Sequence, residues 1–482
     1  MFLFTIGLNK RGTLMNLSSS LYVMVASLLL LLVGCDNNNY TKQSQQSADL
    51  RTSIELSSNG EGLAAFLMPD EDDYDNIPQD TNNPITAEKV LLGQMLYHES
   101  TQATAGHRDT LSEQWSCAAC HHVNAGFKAG IPQGIGEGGE GFGINGEGRL
   151  LRAGFDFTEA STTPDVQGIA SPSVLNVAYQ DVMLWNGALG NNIDSINRSV
   201  TTAFVEGAGP GAILANQFEL SGIETQALAG THVHRLNFDT INDAGHTYET
   251  LYKAAYANNE GVIPTGSTVT PSALGAAKAI AAYERTILAN QAPFQRWLQG
   301  NENSMSPRQI EGALLFFGKA GCADCHTGPA LSSALGADED DIFFNIGFAD
   351  FDTTHPQIHG TVTADFSDGR GGFTGVEDDK FKFKIPQLYN LINTEVLGHG
   401  ASFNSVREVI EYKNAAVPQV DRGELDTRFV PLGLSEEEIT QLTDFVENGL
   451  FDNNLARYVP DALESGACFP VADSMAQDDL DC

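Results

Sequence analysis

Of the 482 residues, 42% are hydrophobic, 18% charged and 9% aromatic, a composition that builds cored domains and excludes a disordered chain. Lys and Arg number 26 against 62 Asp and Glu, and the net charge of −36 repels phosphate backbones, excluding nucleic acid as a partner while favouring basic proteins. The length implies two or three domains, and seven cysteines over such a chain are not a disulfide scaffold.

Residues 1–34 read as an export signal. Lys10 and Arg11 precede an apolar run from Leu21 to Val33 that is short for a membrane span, and Met15 is a second candidate start. Leu32-Val33-Gly34-Cys35 resembles the bacterial lipoprotein processing box, which makes Cys35 a lipid anchor at a membrane surface; an ordinary cleaved signal is the alternative. Residues 35–80, rich in Asn, Gln, Ser and Asp, read as a flexible tether. Thr86 then caps a helix carrying Val90, Leu91, Met95 and Leu96 on one side. An Ala-rich helix follows Pro271-Ser272 and runs towards Trp297. Ser306 and Gln309, with Pro307 between, form a capping box opening a helix to Phe317. Ser435 and Glu438 form another before Ile439, Leu442, Phe445 and Val446 at helical spacing. Strand-like runs are few and short, so the fold class is mainly α with long loops.

Two Cys-x-x-Cys-His motifs dominate the chain: Cys117-Ala118-Ala119-Cys120-His121 and Cys322-Ala323-Asp324-Cys325-His326. Each thiol pair can form thioethers to the two vinyl groups of one haem, leaving the following His as the iron's proximal ligand. Zinc would call for further Cys or His close by, and a thioredoxin-like pair for a βαβ setting; neither is present in the sequence. The prediction is two covalently bound c-type haems. The motifs belong to an internal repeat. Pro172-Ser173-Val174-Leu175-Asn176-Val177 follows the first and Pro386-Gln387-Leu388-Tyr389-Asn390-Leu391 the second, with Trp185 and His399 each 13 residues beyond their Pro. Two tandem cytochrome c-like domains are expected at 81–300 and 301–460, with an acidic tail at 461–482 in which Cys468 and Cys482 pair in an oxidising compartment. That bridge contributes roughly 3 kcal/mol in the chain-entropy model. A glycine-rich stretch from Gly126 to Gly148 contains G-x-G-x-x-G without a leading strand or following helix, and reads as a mobile loop near a haem rather than a nucleotide site.

Two haems in one chain suit a two-electron reduction of a small oxidant, with hydrogen peroxide the natural candidate. From about residue 84 to 460 the chain resembles the bacterial diheme cytochrome c peroxidase family, which includes MauG-type diheme oxidases. The resemblance rests on Leu92-Gly93-Gln94-Met95-Leu96-Tyr97, Pro172 to Tyr179 leading to Trp185-Asn186-Gly187, Tyr283-Glu284-Arg285-Thr286, Gly369 to Gly375, Phe383 to His399, and Leu432-Gly433-Leu434-Ser435. It implies a peroxidatic N-terminal haem, an electron-entry C-terminal haem, and periplasmic peroxide reduction with a small cytochrome c or cupredoxin as donor. It leaves open a homodimer, a diheme electron-transfer protein without peroxidase activity, and an oxidase of an organic or protein substrate.

Residue by residue, the resemblance makes His121 and His326 the proximal ligands, Trp185 the residue between the haems, and Gln226 a distal-pocket Gln. His234 stands nearest the family's catalytic Glu, with Glu224 as its rival. No His occurs between His122 and His232, so the family's switching ligand is missing and the first iron is expected to react without prior reduction. At the second haem the family's Met or Tyr ligand falls within Glu411-Tyr412-Lys413-Asn414, making Tyr412 or Lys413 the candidate sixth ligand. A bridging calcium is left open, since its Asn ligand falls at Ala170 and its backbone-carbonyl positions at Thr394 and Val396.

Overall fold

The helices begin where the sequence supplies caps. A computed structural model describes residues 42–155, 157, 163–190, 220–238, 248–257, 273–355, 357–359 and 367–482, with only the backbone at 231–232. The signal region with Cys35, and the Pro271-Ser272 start, lie outside them. In chain order the helices are α1 at 42–57, α2 (Ala87–His98), α3 (Gly222–Val233), α4 (Tyr248–Ala255), α5 (Ala273–Thr286), α6 (Pro293–Leu298), α7 (Pro307–Phe316), α8 (Arg370–Thr374), α9 (Val406–Ala415), α10 (Glu436–Asp444) and α11 (Ser474–Leu480). Two two-stranded antiparallel ribbons complete the regular structure: β1 (Gly139–Glu140) with β2 (Leu150–Leu151), and β3 (Phe343–Phe344) with β4 (Phe383–Lys384). Mainly helical with short strands is what the sequence predicts.

Thr86 caps α2 by accepting from the Lys89 amide, and the boxes at Ser306 and Ser435 both close reciprocally. The buried face of α2 is Leu92, Gly93, Leu96 and Tyr97, whereas Leu91 is 44% exposed, so the predicted stripe is rotated. The reason is backbone proximity: a Cβ at Gly93 would lie 1.9 Å from the Ala279 carbonyl oxygen of α5. The second half repeats the device, since a Cβ on Gly312 of α7 would lie 2.1 Å from the Gln441 carbonyl oxygen of α10. Each half thus places the helix before its Cys-x-x-Cys-His motif hard against a later helix. The single helix predicted towards Trp297 is instead two, α5 and α6, with Pro293 restarting the turn.

The predicted tether is corrected from residue 50 onward. Leu50, Ile54, Phe66, Met68 and Ile77 are all buried, and Phe66 packs edge-on against Phe317 with ring centroids 5.0 Å apart. Polar composition masked these well-spaced apolar anchors. Residues 50–482 form one compact unit whose main core draws on both halves, from Leu92 and Tyr97 to Leu442 and Phe445.

Candidate functional site

Both Cys-x-x-Cys-His motifs are wound as the same short 3-10 turn, Cys117–Ala119 and Cys322–Asp324, with the amide of each His donating to the carbonyl of the first Cys. All four thiols are free of disulfides. Burial pushes the Cys120 and Cys322 thiols up to about 12, which favours their neutral form in the unligated motifs. Desolvation lowers the His121 and His326 imidazoles to about 4, which keeps both neutral and able to ligate a metal. Nδ1 of His326 lies 2.8 Å from the Leu331 carbonyl, an arrangement that puts the proton on Nδ1 and frees Nε2. The carbonyls of Pro172 and Pro386, the prolines that open the repeated segments, face His121 and His326 respectively. Paired thiols beside a neutral imidazole suit covalent haem at each motif, with the imidazole held by a hydrogen bond at the second.

The repeat also explains how the halves meet. Asn176 and Asn390 are buried in left-handed conformations, and their amides donate to the carbonyls of Ile287 and Leu450 in matching loops. The halves then exchange bonds reciprocally: the Ala170 amide donates to the His399 carbonyl at 2.9 Å, and the Lys384 amide to the Trp185 carbonyl at 2.8 Å. Trp185 and His399, equivalent in the repeat, therefore touch across the junction, edge to face with centroids 6.2 Å apart. The Trp185 indole donates to the Ala170 carbonyl at 2.7 Å, and Phe383 stacks on the other side of His399 at 3.6 Å. Asp350 accepts from His399 at 3.1 Å and pairs with Arg422 at 2.6 Å, which holds its carboxyl well below the usual range.

Around the first motif the glycine-rich stretch is packed, correcting the expected mobile loop. A Cβ at Gly134 would sit 2.8 Å from Cys120 Sγ, so this glycine lets the backbone pass directly over the attachment thiol. Ile135, Gln133 and Glu137 are fully buried. Arg149 binds the Ile135 and Gly136 carbonyls and pairs with Asp473 in the interior. Asp479 accepts from the Phe142 and Gly143 amides at 2.8 and 2.9 Å. Cys468 and Cys482 are bridged, and the tail they close therefore braces this loop as well as itself.

His234, at the C-cap of α3, places Nδ1 3.0 Å from Asp165 Oδ2 and 3.4 Å from Gln167 Nε2. Desolvation opposes its charging, but the Asp165 carboxylate outweighs this and raises the imidazole pKa. His121 and Cys120 lie within electrostatic reach of this pair. Its rival Glu224 is engaged by partners of its own. It is fully buried, forks onto Arg285 at 2.7 and 3.2 Å, and accepts from Asn83 at 2.9 Å. Gln226 is half-buried on the same helix. Asp165 escaped the sequence reading, because a loop residue 69 positions from its partner leaves no periodic signal. Glu137 escaped it likewise; it is ion-paired with Arg235 in the interior.

At the second motif, Tyr412 and Lys413 of α9 separate. The Tyr412 hydroxyl donates to the Ile346 carbonyl, with its ring among Phe348, Phe403 and Phe429. The Lys413 ammonium lies 5.3 Å from the centre of the Phe429 ring and within electrostatic reach of Cys325 and Cys322. The residues do not fit a bridging calcium. Ala170 has no side-chain oxygen, and the buried Lys128 ammonium donates to the Val396 carbonyl at 3.3 Å, placing a cation where the calcium ligand was expected.

Comparison with known proteins agrees with this geometry. The sequence profile described as di-haem cytochrome c peroxidase matches residues 87–303. A cytochrome-c peroxidase, IdrP1, of Denitromonas iodatirespirans is 26% identical over 77% of this chain and 84% of its own. The methylamine utilization protein MauG of Methylorubrum extorquens is 25% identical over 80% and 83%. A solved MauG-like protein associated with microbial copper homeostasis shares the fold, with TM-score 0.52, 20% identity and coverage of 80% of this chain and 95% of that one. The chain is similar to the di-haem cytochrome c peroxidase and MauG family, a likeness that implies two c-type haems. Among the described residues no helix is long and apolar enough to cross a membrane.

Proposed function

We propose that the chain reduces hydrogen peroxide to water in the periplasm, anchored through Cys35, with electrons from a small cytochrome c or cupredoxin. Cys117, Cys120 and His121 hold one haem, and Cys322, Cys325 and His326 the other. When bound, each would supply an iron that exchanges single electrons. The contact between His234 and Asp165 carries the reading, because cleaving peroxide to water needs protons as well as electrons. Asp165 holds Nδ1, which leaves Nε2 of a readily protonated imidazole to deliver and recover a proton. Trp185 against His399 offers electrons an aromatic path across the junction. The net charge of −36 favours a basic donor surface.

The test is steady-state peroxide consumption with a reduced cytochrome c. His234→Gln is expected to lose about 10²–10⁴-fold in kcat with both haems still attached. A wild-type protein whose haems cycle but which consumes no peroxide refutes the reading in favour of electron transfer alone. An oxidised organic or protein product formed from peroxide without a donor refutes it in favour of an oxidase.

A further inference from the structure

The C-terminal tail reaches His234 by two routes. Along the first, Val471 pairs with Trp115 in an antiparallel bridge, the Ser116 hydroxyl donates to the Pro470 carbonyl at 2.7 Å, and the Ala472 amide donates to the Gln114 carbonyl at 3.2 Å. The Trp115 indole in turn donates to the His234 carbonyl at 2.9 Å. The second route runs through buried charge. Asp473 accepts from the Gly141 amide at 3.0 Å and pairs with Arg149, whose guanidinium donates to the Ile135 and Gly136 carbonyls at 2.6 and 3.0 Å. That stretch grips the segment carrying Asp165. The Gly136 amide donates to the Asp165 carbonyl at 2.8 Å, and the Asp165 and Gln167 amides donate to the Glu137 and Gly134 carbonyls, each at 2.9 Å. A Cβ at Gly136 would lie 2.2 Å from Asp165 Oδ2, so this wall sets where the carboxylate facing His234 Nδ1 stands.

The tail itself has little else to hold it. α11 is seven residues long, too short to be stable alone, and Ala476 is its one buried residue. It leads to Cys482, which is exposed, whereas its partner Cys468 is buried. Closing a loop of this length favours the folded tail by about 10²-fold in the chain-entropy model. In the holoprotein the four motif thiols are consumed as thioethers, which leaves this bridge, among the described residues, to exchange with an outside thiol.

We infer that Cys468–Cys482 is an exchangeable latch opened by a thioredoxin-like protein dithiol, and that Asp473 and Arg149 are the positioning residues through which it holds the His234–Asp165 pair. The proton role of that pair rests on the function proposed above. In the exchange, a thiolate of the dithiol attacks the exposed Cys482 sulfur, and Cys468 leaves as a thiolate that takes a proton from water. The second thiol of the donor then displaces Cys482, so the dithiol departs as a disulfide after giving two electrons to the bridge. Once unlatched, α11 withdraws Asp479 from the Phe142 and Gly143 amides and Asp473 from Arg149, and the wall behind Asp165 loosens.

The experiment uses holoprotein of the wild type, the wild type treated with excess reduced thioredoxin, Cys468→Ser/Cys482→Ser, and Asp479→Asn, with two haems per chain verified by pyridine haemochrome. Readouts are free thiols by alkylation and mass spectrometry, amide hydrogen exchange, and the pH profile of peroxide turnover. Thioredoxin should free two thiols. The reduced protein and the double variant should exchange about 10-fold faster or more at 473–482 and also at 134–149, as local opening of both segments requires. The limb of the pH profile that depends on His234 should move to lower pH in both, since a displaced Asp165 no longer favours the imidazolium. Asp479→Asn, with the bridge intact, should speed exchange at 142–143 alone. Faster exchange confined to 473–482, with 134–149 and the pH profile as in the wild type, overturns the latch, as does a bridge that thioredoxin leaves closed. A pH profile unaltered in His234→Gln overturns the proton role instead, and the exchange rates still decide the latch.

Discussion

Glu224→Gln separates a structural carboxylate from a catalytic one. The side chain is wholly buried, and its two oxygens face the Nε and Nη2 atoms of Arg285 at 3.2 and 2.7 Å. Lys89 and Lys278 add positive charge to the same pocket, and burial already lowers Lys89 to about 8. Removing the carboxylate charge leaves Arg285 desolvated among like charges, a loss of roughly 3–5 kcal/mol for a broken buried pair. Unfolding entropy near 2.1 cal/mol/K per residue, taken over the compact unit 50–482, amounts to about 0.9 kcal/mol/K. The melting temperature of the holoprotein should therefore fall by about 3–6 °C, followed by the loss of Soret circular dichroism, while peroxide turnover per folded molecule stays near wild type. Adding Arg285→Met should restore part of the loss, since it removes the stranded cation. A variant that melts like wild type yet is inactive, with both haems in place, would refute the assignment.

Three further outcomes rest on the contacts of Asp165, Gly134 and Lys128. Asp165 raises the His234 pKa, so their pairing adds stability that is fully present below the ordinary imidazole value near 6.5 and disappears as pH rises through the raised one. The gap in melting temperature between wild type and Asp165→Asn should accordingly be wide near pH 6 and close towards pH 9; a gap independent of pH contradicts the ion pair. Gly134→Ala drives a methyl group to 2.8 Å from Cys120 Sγ and 2.9 Å from Ser171 Oγ, and should lower covalent haem from two per chain towards one, measured by pyridine haemochrome. With Lys128 bonded to the Val396 carbonyl, chelation by EGTA and addition of calcium should both leave turnover and melting unchanged, and a chelator-sensitive protein would show that the ammonium does not take the cation's place.

How much of this was legible in the sequence depended on the range of the interaction. Caps at Thr86, Ser306 and Ser435 are decided within one helical turn, and all three form. The haem motifs and the Pro-to-Asn repeats are equally local, and the structure winds the two copies alike. The α2 face was misjudged because the Gly93–Ala279 approach depends on a helix far along the chain. The tether was misjudged because composition averages away five anchors that each find a distant pocket. Polar pairs were the least legible. Asp165 with His234, Glu224 with Arg285, and Arg149 with Asp473 join loops and helices at separations where no pattern couples the residue types.

The two halves share a scaffold so closely that their differences must lie in side chains hung upon it. Each motif has the same turn, the same proline carbonyl towards its His, and the same glycine-mediated helix contact. At the first, the surroundings are Gly134, packed against Cys120, and an aspartate–imidazole pair suited to moving protons. At the second, the surroundings are an aromatic cluster of Phe348, Phe403, Tyr412 and Phe429 with the Lys413 ammonium over the Phe429 ring, while the Asp350–His399 pair stands at the junction. A carboxylate–imidazole pair beside the first motif and an aromatic cluster beside the second suit different tasks on the two sides. This division of labour follows from the residues at equivalent positions: the junction itself, through Ala170, Trp185, Lys384 and His399, treats the halves symmetrically and favours neither.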